Sequence, residues 1–150
     1  RSNGEVTRAH YARYLVQIGK VSNDGQAFKR YLGGGKSCFV KAEWVDIPTA
    51  IDTIHAAGGV AIIAHPMRYN MTGKWIRRLI VDFKQWGGDG MEVADSGQTK
   101  DQRQYLARLA NEYDLAASLG SDFHFPCGWI ELGKNLFLPE EVKPIWTLFE

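Results

Sequence analysis

An alternation of helical and extended segments begins at Ile47 and constrains the fold more than any other feature of the chain. Each apolar run is about five residues long, which is short enough for a buried strand, and the runs are separated by amphipathic segments of helical length. Such alternation at short intervals predicts βα units with a parallel sheet. The expected strands are 60–64, 90–94 and 115–119, and the expected helices are 47–57, 72–86 and 101–113.

The residues before Ile47 predict helices but no strands. Residues 5–19 predict an amphipathic helix that stops at Gly19, and a second short helix follows with Asp24 as its expected N-cap. We therefore divide the chain into a helical segment and loop at 1–45 and βα units at 46–150. A last helix is expected near 140–149.

Overall composition limits the possible partners. The chain has 18 basic and 17 acidic residues and a formal charge of +1, which argues against binding of long duplex DNA. It has no apolar run long enough to span a membrane, and its two cysteines, Cys38 and Cys127, form no CxxC pair. These features favour a protein of the reducing cytoplasm. A small phosphorylated substrate remains compatible with them.

The glycine-rich stretch 33–37 (GGGKS) resembles part of a phosphate-binding P-loop. A P-loop needs a glycine where this chain has Arg30, and it follows a strand, whereas the preceding segment is predicted to be helical. A loop that leads to the next segment is the preferred interpretation.

Three residues of the kind that bind metal ions follow two of the predicted strands. His65 comes directly after strand 60–64, and Asp122 and His124 follow strand 115–119. Residues i and i+2 of an extended segment point to the same side, so Asp122 and His124 can converge on one ion. Carboxyl ends of parallel strands meet at one edge of a sheet. The sequence therefore predicts a site for zinc, manganese or iron there.

Other charged residues are candidates for substrate contacts. Arg68 lies three residues past His65, where a guanidinium could bind phosphate oxygens through two parallel hydrogen bonds. Arg8 and His10 open the first helix, where backbone N–H groups also favour an anion. Glu92 and Asp95 flank the end of the second strand. We expect Glu92 to support His65 or accept a backbone N–H rather than bind an ion.

The motifs Ala-His-Pro-Met-Arg-Tyr at 64–69, Gly-Met-Glu-Val at 90–93 and Gly-Ser-Asp-Phe-His at 120–124 resemble later motifs of the PHP metal-dependent phosphoesterases. The segments 7–13 and 126–133 resemble most closely the bacterial TrpH type, whose members hydrolyse nucleoside 3′,5′-bisphosphates and trim RNA from its 5′ end. The resemblance implies a distorted (β/α)7 barrel with part of a helical insertion at 1–45. It also implies two or three Mn²⁺, Zn²⁺ or Fe²⁺ ions, with His65, Asp122 and His124 as ligands and Glu92 as a non-ligand.

The family's opening His-x-His motif and several further ligands have no counterpart in these 150 residues. The resemblance therefore implies the C-terminal half of such an enzyme, which would be inactive without its N-terminal half. The expected substrates are a nucleoside bisphosphate or the 5′ end of a short RNA. The alternatives are a histidinol-phosphate phosphatase of the same family and an inactive module that binds nucleotides.

Overall fold

The computed structural model describes residues 4–124 and 130–149. Two compact units divide the chain, Arg1–Trp44 and Val45–Glu150. Parts of the motif at 126–133, including Cys127, lie outside the described residues. Within the described residues, no helix combines the length and the apolar character needed to cross a membrane.

The first unit is helical. Helix α1 covers Arg8–Gln17, and helix α2 covers Asp24–Ala27 and continues into a π-helical turn at Phe28–Leu32. The N-cap of α2 is Asn23, not Asp24 as expected, because the Asn23 side chain accepts a hydrogen bond from the Gln26 N–H at 2.9 Å. Ala12, Val21, Ala27 and Leu32 form its small core. The glycine-rich loop follows this helical turn rather than a strand.

The second unit is α/β. Its elements are α3 at Ile47–Ala56, β1 at Ile62–Ile63, α4 at Gly73–Gln85, β2 at Gly90–Asp95, α5 at Lys100–Glu112 and β3 at Ala116–Gly120. Asp46 caps α3 by accepting the Thr49 N–H at 2.9 Å, and Pro48 occupies the first turn. Short 3-10 turns lie at Pro66–Arg68 and Ile145–Leu148.

The three strands form a parallel sheet in the order β1-β2-β3, which confirms the predicted α/β class and parallel pairing. All six residues of the central strand, β2, are buried. The core lies between this sheet and the apolar faces of α4 and α5, and its fully buried side chains include Ile80, Met91, Val93, Leu106 and Leu109. Burial on both faces explains why β2 reads as an almost continuous apolar run.

The pairing of β2 with β3 contains a register shift. Glu92 pairs with Ser118, but Ala94 pairs with Leu119, so one residue of β2 is extra at this point. Such a bulge interrupts the strict alternation of side chains between the two faces of a sheet. It changes the direction of the side chains that follow it. It lies directly before Asp95, at the end of β2 where the candidate site is located.

Two predictions for this unit are wrong, one about the length of β1 and one about the last helix. Strand β1 has two residues instead of five, because the ladder with β2 starts only at Ile62 and the backbone turns left-handed at His65. The expected helix at 140–149 is only a 3-10 turn at Ile145–Leu148. Pro144 lacks an N–H and disfavours helix at the residue before it, and the Lys143 carbonyl instead accepts the Ala117 N–H at 2.7 Å.

Replacing Ile80 with alanine should lower the free energy of unfolding by about 2–5 kcal/mol, because Ile80 is completely buried between α4 and the sheet and its loss leaves a cavity. Urea denaturation measures the change. Lys74→Ala, on the exposed side of the same helix, is the matched control and should change the free energy by less than about 0.5 kcal/mol. Equal effects of the two substitutions would contradict the described packing of α4.

Candidate active site

The carboxyl ends of β1, β2 and β3 carry the residues that the sequence singled out. His65 follows β1, Glu92 lies in the middle of β2 and Asp95 at its end, and Asp122 follows β3. His65, Glu92, Gly120 and Asp122 line one open depression of about 470 Å³. His65 also borders a smaller pocket of about 150 Å³, which Arg68 and Asp95 line as well. The parallel sheet thus brings together residues that are far apart in the chain.

His65 has an unusual backbone and an unusual ring environment. Its φ of 32° and ψ of 57° place it in the left-handed region, which costs a non-glycine residue roughly 1–2 kcal/mol. Its ring nitrogen Nδ1 is buried and has no hydrogen-bond partner in the part of the chain that the structure describes. Asp122, with a φ of 53°, also lies in the left-handed region. Strained residues of this kind cluster at functional sites.

Glu92 supports the backbone of His65. The His65 N–H donates to Glu92 Oε2 at 2.8 Å, which is one of the roles expected for this glutamate. Burial raises the pKa of Glu92, and the nearby Asp95 raises it further, although the His65 N–H acts in the opposite direction. Gly120 leaves room for this carboxylate, because a Cβ atom there would lie 3.1 Å from Glu92 Oε1. The sequence alone did not indicate this role of Gly120.

Arg68 joins two carboxylates at the edge of the site. Its Nη2 lies 2.5 Å from Asp95 Oδ2, and its Nη1 donates to Asp122 Oδ2. Burial alone would lower the pKa of Arg68, but Asp95 and Asp122 outweigh burial and raise it, so the guanidinium is charged. The sequence placed Asp95 at the end of β2, but nothing in it indicated that Asp95 pairs with Arg68.

The ring of His124 is exposed, and its Nδ1 lies 2.7 Å from the backbone carbonyl oxygen of Asp122. A carbonyl oxygen only accepts, so Nδ1 carries the proton in this hydrogen bond. In the neutral ring, the lone pair is then on Nε2. This tautomer is the one that binds metal ions through Nε2.

The donor types at this edge fit a divalent transition metal ion. Imidazole nitrogens and carboxylate oxygens suit zinc, manganese and iron, and the buried Nδ1 of His65 has no protein partner among the described residues. Within residues 4–124 and 130–149, however, no group of three or more His, Cys, Asp and Glu side chains is arranged to hold an ion. Asp122 is instead paired with Arg68.

Arg8 and His10 lie in the first unit, and their contacts there are local. The Thr7 N–H donates to His10 Nδ1 at 3.0 Å, so this histidine helps to cap α1. The Arg8 guanidinium lies 6.0 Å from the centre of the Phe28 ring. Because His10 Nδ1 accepts, the neutral ring carries its proton on Nε2 and can still donate to an anion.

His55, on the exposed side of α3, has a defined partner. Its Nε2 lies 2.8 Å from Asp89 Oδ2, and the same oxygen accepts the Ala61 N–H at 2.7 Å. Asp89 directly precedes β2 and Ala61 directly precedes β1, so this contact lies at the edge of the sheet opposite the candidate site.

Two solved structures, an amidohydrolase and a metal-dependent phosphoesterase, are similar to this chain. The structure matches an amidohydrolase from Chromobacterium violaceum, solved with bound sulfate and no metal, with a TM-score of 0.79 and 41% identity over 95% of this chain and 49% of that chain. It also matches a protein from Bifidobacterium adolescentis described as a metal-dependent phosphoesterase, with a TM-score of 0.74 and 26% identity over 98% of this chain and 53% of that chain. No protein-family model matches the chain.

Proteins related in sequence include exoribonucleases and a nucleoside bisphosphate phosphatase. The chain is 81% identical over 99% of its length to a 5′-3′ exoribonuclease of Haemophilus influenzae, and 50% identical over 98% of its length to the 5′-3′ exoribonuclease Rnm of Escherichia coli. It is 41% identical over 97% of its length to a 3′,5′-nucleoside bisphosphate phosphatase of Chromobacterium violaceum. The chain spans about half the length of these relatives, 50–54%.

The resemblance stated from the motifs is thereby confirmed: the chain is related to 5′-3′ exoribonucleases and 3′,5′-nucleoside bisphosphate phosphatases. These relatives are hydrolases of phosphate esters, and a metal-dependent phosphoesterase is among the structural neighbours.

Replacing Glu92 with alanine should destabilise the fold by about 1–3 kcal/mol, because the His65 N–H would lose its acceptor. Glu92→Gln is the matched control, since its carbonyl oxygen can still accept that N–H, and it should cost clearly less. Urea denaturation of both variants tests this, and equal losses would show that the hydrogen bond does not contribute.

Proposed function

We propose that the chain carries one part of the active site of a metal-dependent phosphoesterase that hydrolyses nucleoside 3′,5′-bisphosphates, trims short RNA from its 5′ end, or does both. The observation that carries the proposal is the meeting of His65, Asp122 and Arg68 at the carboxyl edge of the sheet. The high identity to an exoribonuclease supports it. We further propose that the three strands belong to a distorted (β/α)7 barrel completed by other parts of the protein.

In this proposal His65, Asp122 and His124 hold divalent ions, Mn²⁺ in the first place and Zn²⁺ or Fe²⁺ as alternatives. Two or three ions require more ligands than these residues supply, so the remaining ligands come from the rest of the enzyme. When bound, such ions polarise phosphoryl oxygens and offset the negative charge that develops on them during hydrolysis. Glu92 is not a ligand here, because its role is to hold the backbone N–H of His65.

The remaining residues bind the substrate. Arg68 is suited to a phosphate group because its guanidinium presents several N–H donors in one plane. Arg8 and His10 are proposed as substrate-binding residues that contact phosphate through the guanidinium and the Nε2–H. Recognition through a few phosphate contacts is compatible with the small net charge of the chain.

Asp122→Asn in the full-length protein should lower the Mn²⁺ content and reduce the turnover of adenosine 3′,5′-bisphosphate by about a hundredfold or more. Loss of residues that merely support a metal ligand already costs 10- to 100-fold. Elemental analysis and phosphate release measure the two quantities. Asp52→Asn, an exposed aspartate on α3, is the matched control and should change neither.

Unchanged metal content and turnover in Asp122→Asn would refute the proposed role of Asp122.

The substrate panel should also include a 5′-phosphorylated RNA oligonucleotide and histidinol phosphate. A preference for histidinol phosphate would identify the phosphatase alternative. A wild-type protein that binds nucleotides but contains no transition metal and releases no phosphate would identify a binding module and refute the proposed function.

A further inference from the structure

Arg68 contacts two carboxylates that differ in their surroundings. The side chain of Asp95, which pairs with Nη2, is only 4% exposed, whereas that of Asp122, which pairs with Nη1, is 28% exposed. Arg68 itself reaches into solvent, with 41% of its side chain exposed. One end of the guanidinium is therefore held in the protein interior, and the other lies at the mouth of the site.

Asp95 is fixed by several contacts. Its Oδ1 accepts the Gly97 N–H at 2.8 Å, and its own N–H donates to Gln98 Oε1 at 3.0 Å. Nη2 of the buried Arg103 donates to the Asp95 carbonyl oxygen at 3.3 Å. A buried carboxylate without a cation is strongly unfavourable. Arg103 is bonded to the carbonyl oxygen, whereas Arg68 Nη2 pairs with the carboxylate itself, so the carboxylate of Asp95 holds the Arg68 guanidinium in position.

The carboxylate of Asp122 pairs with Arg68 and is also proposed to hold an ion. Asp122 follows β3 and lines the same depression as His65. An ion bound to Asp122 Oδ2 and the guanidinium of Arg68 would compete for that oxygen and repel each other at short range. Binding of the ion would therefore free Nη1, while Nη2 remains on Asp95.

We propose that Asp95 is the positioning residue of Arg68, and that Nη1 of Arg68 exchanges Asp122 for the substrate phosphate when Asp122 takes up an ion. This proposal rests on the proposed function. It assigns Asp95 a role in substrate binding without contact with the substrate. It also means that Arg68 neutralises Asp122 as long as no ion is bound there.

Asp95→Asn in the full-length protein, assayed at saturating Mn²⁺, tests the positioning role. The asparagine oxygen can still accept the Gly97 N–H, so the variant removes mainly the charge that holds Arg68. KM for adenosine 3′,5′-bisphosphate should rise about tenfold or more, with a change in kcat below about threefold, because a contact made in both ground and transition states is weakened. The dissociation constant of inorganic phosphate, measured by calorimetry, should rise in parallel.

Glu112→Gln is the matched control, because it breaks another arginine-carboxylate pair, with Arg77, on the outer helices. It should leave KM and phosphate binding unchanged. An unchanged KM in Asp95→Asn, or an equal rise in Glu112→Gln, would overturn the role of Asp95.

Arg68→Gln tests the exchange by metal binding alone. Without the guanidinium, Asp122 is free for the ion, and the dissociation constant of Mn²⁺ should fall severalfold relative to the wild type. An unchanged or higher constant would overturn the exchange, and this readout holds even if Asp95→Asn does not fold. If the wild type releases no phosphate from any substrate, the proposed function fails, whereas Mn²⁺ and phosphate binding still decide the present proposal.

Discussion

Parallel pairing of β2 with both of its neighbours is the constraint on which the rest of the second unit depends. Because β1, β2 and β3 run in the same direction, the segments that follow them emerge at the same edge of the sheet. Arg68 and Asp122, 54 positions apart in the chain, meet there in an ion pair. Helices α4 and α5 pack their apolar sides against the sheet, and the polar residues of the candidate site gather where the strands end.

The edge carries more negative than positive charge among the described residues. Glu92, Asp95 and Asp122 lie close to Arg68, and both Glu92 and Asp95 are buried. Burial raises the pKa of Glu92, and the neighbouring Asp95 raises it further. Such a surplus of carboxylates is suited to cations. It explains in physical terms why the same residues can bind an arginine and are proposed to bind an ion.

Much of the fold could be predicted because it depends on local patterns. Apolar periodicity located α4 and α5 to within a residue or so, and the apolar runs located β2 and β3 equally well. The prediction was wrong where a distant contact decides the structure. The tail around Pro144 pairs with β3 instead of forming a full helix, and β1 is short because only Ile62 and Ile63 form the ladder with β2.

The candidate site could be predicted only in part, for a related reason. Residue types and their positions after strands indicated His65, Asp122, His124 and Arg68, and the roles of these residues remain predictions. The contacts of Asp95 were not foreseeable, because in a regular strand Glu92 and Asp95 point to opposite faces. The register shift after Glu92 interrupts that alternation, and both carboxylates contact the segment after β1.

The amino-acid sequence by itself determined the class of fold, the order of its elements and the group of phosphoesterases to which the chain is related. These follow from periodicity and from short motifs, which are properties of neighbouring residues. Only the tertiary structure decided which carboxylate holds Arg68, which group supports His65 and where the register between β2 and β3 shifts. Those contacts depend on how separate strands align, and the energies that align them come from packing between residues far apart in the chain.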